Sequence, residues 1–324
     1  MSVGPTSLQV RMLAALVGLT LVTAGFLVGV WVIFYVTLLI VGLEFPTLFA
    51  SIATAGTVLV IGYLEYHQPE TVERLADAYP VDEETAPELY ELTTRVAAQL
   101  GVPAPTIAVS DRDAPEALVV GFRPKRIHLV LSLGTIDALS QAELEAVIAH
   151  ELAHVANRDA MVMTVVSLPV VIAEGIRSRI MKIENPGWTA VVIVPLGLVS
   201  TVAWTTGQAI TARLSRTRER AADRAAAAAI GSPATLASAL ERLDHEIAAT
   251  PNRDLREVSG VSSLSILPLE PRELEKVMLG PDGDREPDHW WLQTRLHRLE
   301  RWLFDTHPPT DERVQELAAL ERET

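Results

Sequence analysis

From Met12 to Leu43 the chain runs for 32 residues without a single Asp, Glu, Lys or Arg. As a helix this stretch would be about 48 Å long, against a hydrocarbon core of roughly 30 Å, so it predicts a transmembrane helix with length to spare. A cleaved signal peptide is the rival reading, but its apolar region is only about 7–15 residues, and no small-residue cleavage site precedes a polar start here. Glu44-Phe45-Pro46 interrupts the run. Thr47 to Leu64 then supplies a second span, closing on Tyr63, Glu65 and Tyr66 as an interfacial flank. So short a connection makes the spans, about 12–43 and 47–64, an antiparallel hairpin over residues 1–67. The N-terminus and everything after His67 then share one side of the bilayer. Arg11 and Arg74 flank the hairpin and its loop carries no basic residue, which leans that side toward the cytoplasm.

The rest of the chain is different in kind. Residues 1–67 hold three charged side chains, Arg11, Glu44 and Glu65 (net −1), so of the formal −14 the remaining 257 residues carry −13. A mean hydropathy of +0.24 is too apolar for an ordinary soluble protein, while 21% charged residues are too many for a pure membrane bundle. The two characters must be segregated along the sequence. An acidic chain of this apolarity is neither disordered nor built to bind nucleic acid, which requires a basic face. With no cysteine, no disulfide scaffold is possible, and any metal site must use His and carboxylates. Lysine is confined to Lys125, Lys182 and Lys276, and an acidic, arginine-rich, lysine-poor surface fits a protein kept soluble in concentrated salt.

Within the acidic portion, residues 68–324, two further apolar stretches occur. Residues 160–173 are uncharged and contain Pro169; residues 185–212 are uncharged through Trp188, Pro195 and Trp204. The segments at about 160–176 and 187–212 are expected either to span the membrane or to dip into it. Arg177, Arg179 and Lys182 lie between them. If both cross, that basic loop sits on the far side from the acidic portion, against the positive-inside tendency.

Around these stretches the periodicity predicts an α+β fold that is mostly α. Residues 86–100 read as an amphipathic helix stopped by Gly101. Thr106 to Val109, Ala117 to Val120 and Ile127 to Leu131 read as a small hairpin or three-stranded sheet. Ser140-Gln141-Ala142-Glu143 is a capping box opening a helix through LEAVIAHELAHVANRD. Residues 245–290 read as irregular, and 290–324 as two helices about a Pro-Pro turn.

The chemistry sits on the capped helix. His150-Glu151-Leu152-Ala153-His154 is H-E-x-x-H: positions i and i+4 stand on one face, so both imidazoles can reach one ion, with Glu151 turned toward its water. A third protein ligand is needed to leave one position open on a catalytic zinc, and it must be a histidine or a carboxylate. The next dense polar segment, SRTRERAADRAAAAAI, carries Glu219 and Asp223 at i and i+4. One of them can ligate and the other can hold a ligand histidine through its second ring nitrogen, unless both simply pair with the neighbouring arginines.

Taken together, AHELAHVANRD, SRTRERAADRAAA and LFDTHPPTDERV, in that order, resemble the HtpX-like integral-membrane zinc endopeptidases, relatives of the CAAX prenyl proteases. The resemblance covers nearly the whole chain. It implies a multi-pass membrane protein with a zincin-like domain and one Zn2+ per chain, held by His150, His154 and Glu219. Glu151 would then be the general base and Asp223 would support a ligand. It further implies that His307 and Arg313 face the substrate carbonyl, where either could stabilise a developing oxyanion. Expected substrates are polypeptides, damaged or misassembled membrane proteins among them, cleaved beside the lipid bilayer of the cell membrane by a domain on the cytoplasmic side. The oligomeric state is left open. The family's usual Asn-Ala-Phe-Ala-x-Gly strand is here Glu116-Ala117-Leu118-Val119-Val120-Gly121, so Glu116 stands in place of the amide. The alternatives are a site-specific prenyl-protein processing enzyme with the same chemistry, and a non-catalytic membrane scaffold with a structural metal. The remaining histidines, His67, His128, His245, His289 and His297, match no ligand spacing.

Overall fold

The computed structural model describes residues 5–66, 78–121, 127–249, 266–267 and 289–323, and it divides into two units. The first comprises Met1–Glu73 with Val162–Leu214; the second comprises Arg74–Met161 with Ser215–Thr324.

In the first unit, α1 (Pro5–Val41) and α2 (Pro46–Tyr66) are the two N-terminal apolar runs. Gly42 ends α1 with φ +76°, a left-handed value that glycine adopts at no steric cost, so that its N–H reaches Leu39 O and the Leu43 N–H reaches Leu38 O. The unit also holds most of α6 (Asp159–Ile180) and the first part of α7 (Ala190–Ile230); a 3-10 turn, Gly187–Thr189, leads into α7. Pro169 and Pro195 lie inside α6 and α7. By length and composition, Leu13–Val41, Pro46–Tyr63 and Gly187–Ile230 can cross a membrane; among the described residues α6 does not meet that standard. Seven threonines of these helices are satisfied internally, whereas Thr211 Oγ1 is buried with no hydrogen-bond partner among the described residues. Thr20, Thr23, Thr37, Thr54, Thr57, Thr201 and Thr205 each donate to the carbonyl four residues earlier, which removes the cost of an unpaired hydroxyl in hydrocarbon. Close approach is made by glycine: a Cβ on Gly207 would meet Val170 at 2.6 Å.

In the second unit a four-stranded mixed sheet has the order β1-β2-β4-β3, with β1 (Ala78–Pro80), β2 (Thr106–Ser110), β3 (Ala117–Val120) and β4 (His128–Ser132). The three expected strands are present, but β2 pairs parallel to β4, so that of these three only β3 and β4 form an antiparallel pair; β1 adds antiparallel to β2. β1, a three-residue edge strand ending in Pro80, carries too little pattern to be read from sequence. The expected amphipathic helix is α3 (Pro87–Leu100), closed by Gly101 at φ +67°. After the short α4 (Leu133–Ala138) comes α5 (Gln141–Ala156), of which ten of sixteen residues are buried. A helix apolar on every side belongs in the interior. Leu144, Val147, Ile148 and Leu152 pack with Leu129 and Leu131 of the sheet, and with Leu236 and Leu240 of α8 (Pro233–Ala249). The stretch expected to be irregular therefore starts later than 245, because residues 245–249 close α8; its positions 250–265 and 268–288 lie outside the described residues. The C-terminal helices are α9 (Trp290–Phe304) and α10 (Thr310–Glu323).

The capping box forms at the start of α5. Ser140 Oγ accepts from the Glu143 N–H at 3.4 Å, and Glu143 Oε2 accepts from the Ser140 N–H at 2.9 Å. Glu143 Oε1 is held in turn by Ser238 of α8 at 2.7 Å. Ser140→Ala is expected to cost about 1 kcal/mol, read as a fall in the denaturant midpoint at unchanged m-value.

Candidate metal centre

His150 and His154, one turn apart on α5, turn their Nε2 atoms toward each other at 3.2 Å. Glu219 of α7 completes a triangle, with Oε2 at 3.4 Å from His150 Nε2 and Oε1 at 3.5 Å from His154 Nε2. Ligand atoms about 2.0–2.1 Å from a tetrahedral ion stand about 3.3–3.4 Å apart, so these separations fit a metal held by two imidazoles and a carboxylate. Among the described residues this trio is the group able to hold an ion, all its ligand atoms lying within 4.8 Å of one another. Glu219 Oε2 is buried without a hydrogen bond of good geometry among those residues, as a donor atom awaiting a cation would be.

Behind the trio each imidazole is braced by a carboxylate. Asp223, one turn beyond Glu219, lies with Oδ1 at 3.0 Å from His150 Nδ1. Asp159, at the start of α6, lies with Oδ2 at 2.7 Å from His154 Nδ1 and is itself paired with Arg218 at 3.1 Å. Carboxylates so placed favour the tautomer that leaves each Nε2 able to ligate, His150 Nδ1 lying within ion-pair reach but without a hydrogen bond of good geometry among the described residues. The bracing of His150 is the arrangement weighed for Glu219 and Asp223 from their spacing. Asp159 was missed: it follows His154 by five residues, across a helix break with Arg158 at φ +58°, where no periodicity relates the two.

Glu151 is buried, and its Oε1 finds no hydrogen-bond partner among the described residues. Burial raises the carboxyl, the His150 and Arg313 charges oppose this and the Glu219 charge adds to it, leaving the group pushed up to about 8. A divalent cation beside it would draw it back down. For His150, burial and the Arg313 charge work against the charged form, but the hydrogen bonds of Asp223 and Glu219 and the Asp223 charge outweigh them, and the imidazole is raised to about 9. The pair thus favours the protonated forms in the metal-free protein.

His307 and Arg313 also come to this centre, in different ways. His307 is buried, with Nδ1 at 3.5 Å from Glu219 Oε2, and it lines a cavity of about 420 Å³ together with Arg216, Arg220, Arg298 and Glu312. Arg313 has no exposed side-chain surface: Nε and Nη2 donate to the two oxygens of Asp223 at 2.9 and 2.6 Å, and Nη1 donates to the Ile266 carbonyl at 2.7 Å. Nη1 also lies 3.8 Å from Glu219 Oε2, so the guanidinium engages both carboxylates of α7.

The edge strand β3 runs beside the centre. Glu116 accepts at its carbonyl from the Ser132 N–H of β4, so by alternation Ala117 and Val119 present their main-chain groups to the outer edge. Ala117 O there accepts from the Ile266 N–H at 3.1 Å, and the Val119 amide reaches the Glu151 carboxylate. The Glu116 side chain is buried and held by Arg112 at 3.0 and 3.1 Å. Neither Ile266 contact carries a sequence signal, because both are made by backbone atoms. His128, His245, His289 and His297 stand outside the trio, and His67 lies outside the described residues.

Comparison with known proteins bears on the same residues. Residues 83–321 match the model of peptidase family M48. A protein named protease HtpX homolog 2, from Methanosarcina acetivorans, is 31% identical over 267 residues, 81% of this chain and 82% of its own length. The protease HtpX homolog of Moorella thermoacetica is 29% identical over 327 residues, 97% of this chain and 98% of its own. Among solved structures, S. mikatae Ste24p is similar at 18% identity with a TM-score of 0.46, over 80% of this chain and 55% of that one.

Proposed function

The chain belongs to peptidase family M48, and from that premise we propose that it is a membrane-embedded zinc endopeptidase acting on membrane proteins in quality control. The observation that carries the reading is the triangle of His150, His154 and Glu219, at ligand separations, with the buried carboxylate of Glu151 beside it.

In this reading His150, His154 and Glu219 would hold one Zn2+. Bound there, the ion supplies Lewis acidity that polarises a carbonyl and lowers the pKa of a water. Glu151 takes a proton from that water as its oxygen bonds to the scissile carbon. The same carboxyl then returns the proton to the amide nitrogen as the C–N bond breaks. Asp223 and Asp159 keep the two imidazoles oriented, and Arg313 keeps Asp223 in place. His307, on the cavity wall, is the group available to the carbonyl oxygen. The outer edge of β3 accepts the peptide as an added strand, beside Glu116. Residues 1–67 and the apolar segments near 160–176 and 187–212 hold the enzyme in the bilayer with its substrates. The peptidase unit faces the cytoplasm, the side on which Arg11 and Arg74 flank the hairpin.

The purified full-length chain is expected to hold one zinc per chain and to cleave an unfolded membrane protein; both are lost to a chelator and restored by zinc. Because His150 is raised to about 9, uptake of the ion at neutral pH displaces its proton, so apparent affinity rises with pH up to about 9 and falls below it. Titration calorimetry in buffers of different ionisation enthalpy reads the released proton. Cleavage unaffected by complete metal removal would refute the reading, and cleavage confined to lipidated C-terminal peptides would move it to prenyl-protein processing.

A further inference from the structure

Helix α9 is turned the wrong way round for a soluble domain. Trp291, Leu292, Leu296, Leu299 and Trp302 are 40–62% exposed, and none of the helix's fifteen residues is buried. At 100° per residue these five fall within an arc of about 140°. Five of the six half-buried positions, Trp290, Thr294, His297, Arg301 and Phe304, lie on the other side, and the sixth, Leu303, lies within the arc. Elsewhere in the second unit, among the described residues, the large apolar side chains so exposed are Tyr79 and Leu133 alone. A contiguous apolar face of this kind on a polar domain marks a contact surface.

We propose that α9 is an interfacial helix that lies on the surface of an anionic bilayer, apolar face inward. Three features select lipid over protein. First, the tryptophans stand near the two ends of the face, and their amphipathic rings favour the headgroup level. Second, in a chain of net charge −14 this helix carries Arg295 within the apolar arc and Arg298 at its border, both exposed, to complement anionic headgroups, while Arg301 on the other side is paired with Asp305. Third, Arg295 lies within the apolar arc with its guanidinium 5.6 Å from the Trp291 ring, a placement that lets the stem run along apolar surface while the charge reaches upward to phosphate. Trp302 and Arg298 also line the cavity beside His307, so this contact brings the mouth of that cavity to the level of the headgroups.

The absence of cysteine makes the test direct. Leu299→Cys, carrying one nitroxide on the full-length protein, is reconstituted in vesicles of mixed anionic and zwitterionic lipid. The label is expected to be relaxed several-fold more by oxygen than by a water-soluble nickel chelate. That ratio falls when the anionic lipid is omitted or when about 1 M salt screens it. A label at exposed Glu88 of α3 keeps the aqueous pattern throughout. A Leu299 label as open to the chelate as the Glu88 label overturns the proposal. So does dipolar broadening between Leu299 labels, which assigns the face to a second copy, and so does lipid-independent protection from both reagents, which assigns it to a protein partner.

Discussion

Glu151→Gln is expected to lower kcat/KM by about 10²–10⁴-fold while leaving one zinc per chain, because the amide keeps the shape of the carboxylate but cannot take up the water's proton. The buried position sharpens the comparison: Glu151 is enclosed, so no other carboxylate can substitute from solvent. A scaffold with a structural metal predicts no loss, and activity equal to the parent would sink the mechanism. Stability should move the other way. The folded-state value, about 8, lies above the ordinary glutamate value, so the native metal-free protein binds more protons than the unfolded chain between about pH 4.5 and 8. The contribution of Glu151 to stability is whole below that window and is lost as pH rises through it. The neutral glutamine escapes this loss, so in the metal-free state Glu151→Gln should stabilise at pH 8 and change little at pH 4.5, as thermal melts at the two values would read. With metal bound the difference shrinks, since the cation then favours the ionised carboxylate.

The largest stability effect is expected at Arg313. Arg313→Met removes both hydrogen bonds to Asp223 and the one to Ile266 O, all in the interior, and leaves Asp223 with His150 as its one remaining ion-pair partner among the described residues. Stranding one half of a buried ion pair costs about 3–5 kcal/mol, measurable as a fall in denaturant midpoint of the full-length protein. Because Asp223 then no longer fixes the His150 ring, zinc affinity should weaken by about 10–100-fold, an effect that a purely structural arginine would not produce. Arg313→Lys restores charge without the planar fork and should recover only part of either quantity. A loss of stability below about 1 kcal/mol would show that the pair carries little of the fold.

The elements that follow strict chemical or periodic rules could be read from the residues alone. An uncharged run of 32 residues can only be a long buried or membrane helix; Ser140 and Glu143 name a helix start; i and i+4 spacing puts His150 above His154 and Glu219 above Asp223. What escaped the sequence depends on meetings between distant segments. The insertion of β4 between β2 and β3 is a pairing of segments distant in sequence, and no local pattern reports it. Asp159 reaches His154 around a helix break. The Arg313 fork closes on Asp223, ninety positions away in sequence, a meeting that no local spacing reports. Ile266 takes part through its amide and carbonyl, which every residue possesses.

The Ile266 amide narrows what the β3 edge can offer to a peptide added there. Along the outer edge of β3 hydrogen-bonding groups recur every second residue; the Ala117 carbonyl is committed to Ile266 and the Val119 amide to Glu151, which leaves the Ala117 amide and the Val119 carbonyl for a peptide. A strand laid there gains its main-chain bonds in one phase only, since a slip of a single residue turns its amides away and reverses its side chains. For any chain that binds in this way, the cut is timed by the peptide's own two-residue beat, and side-chain identity becomes a secondary voice in choosing the bond.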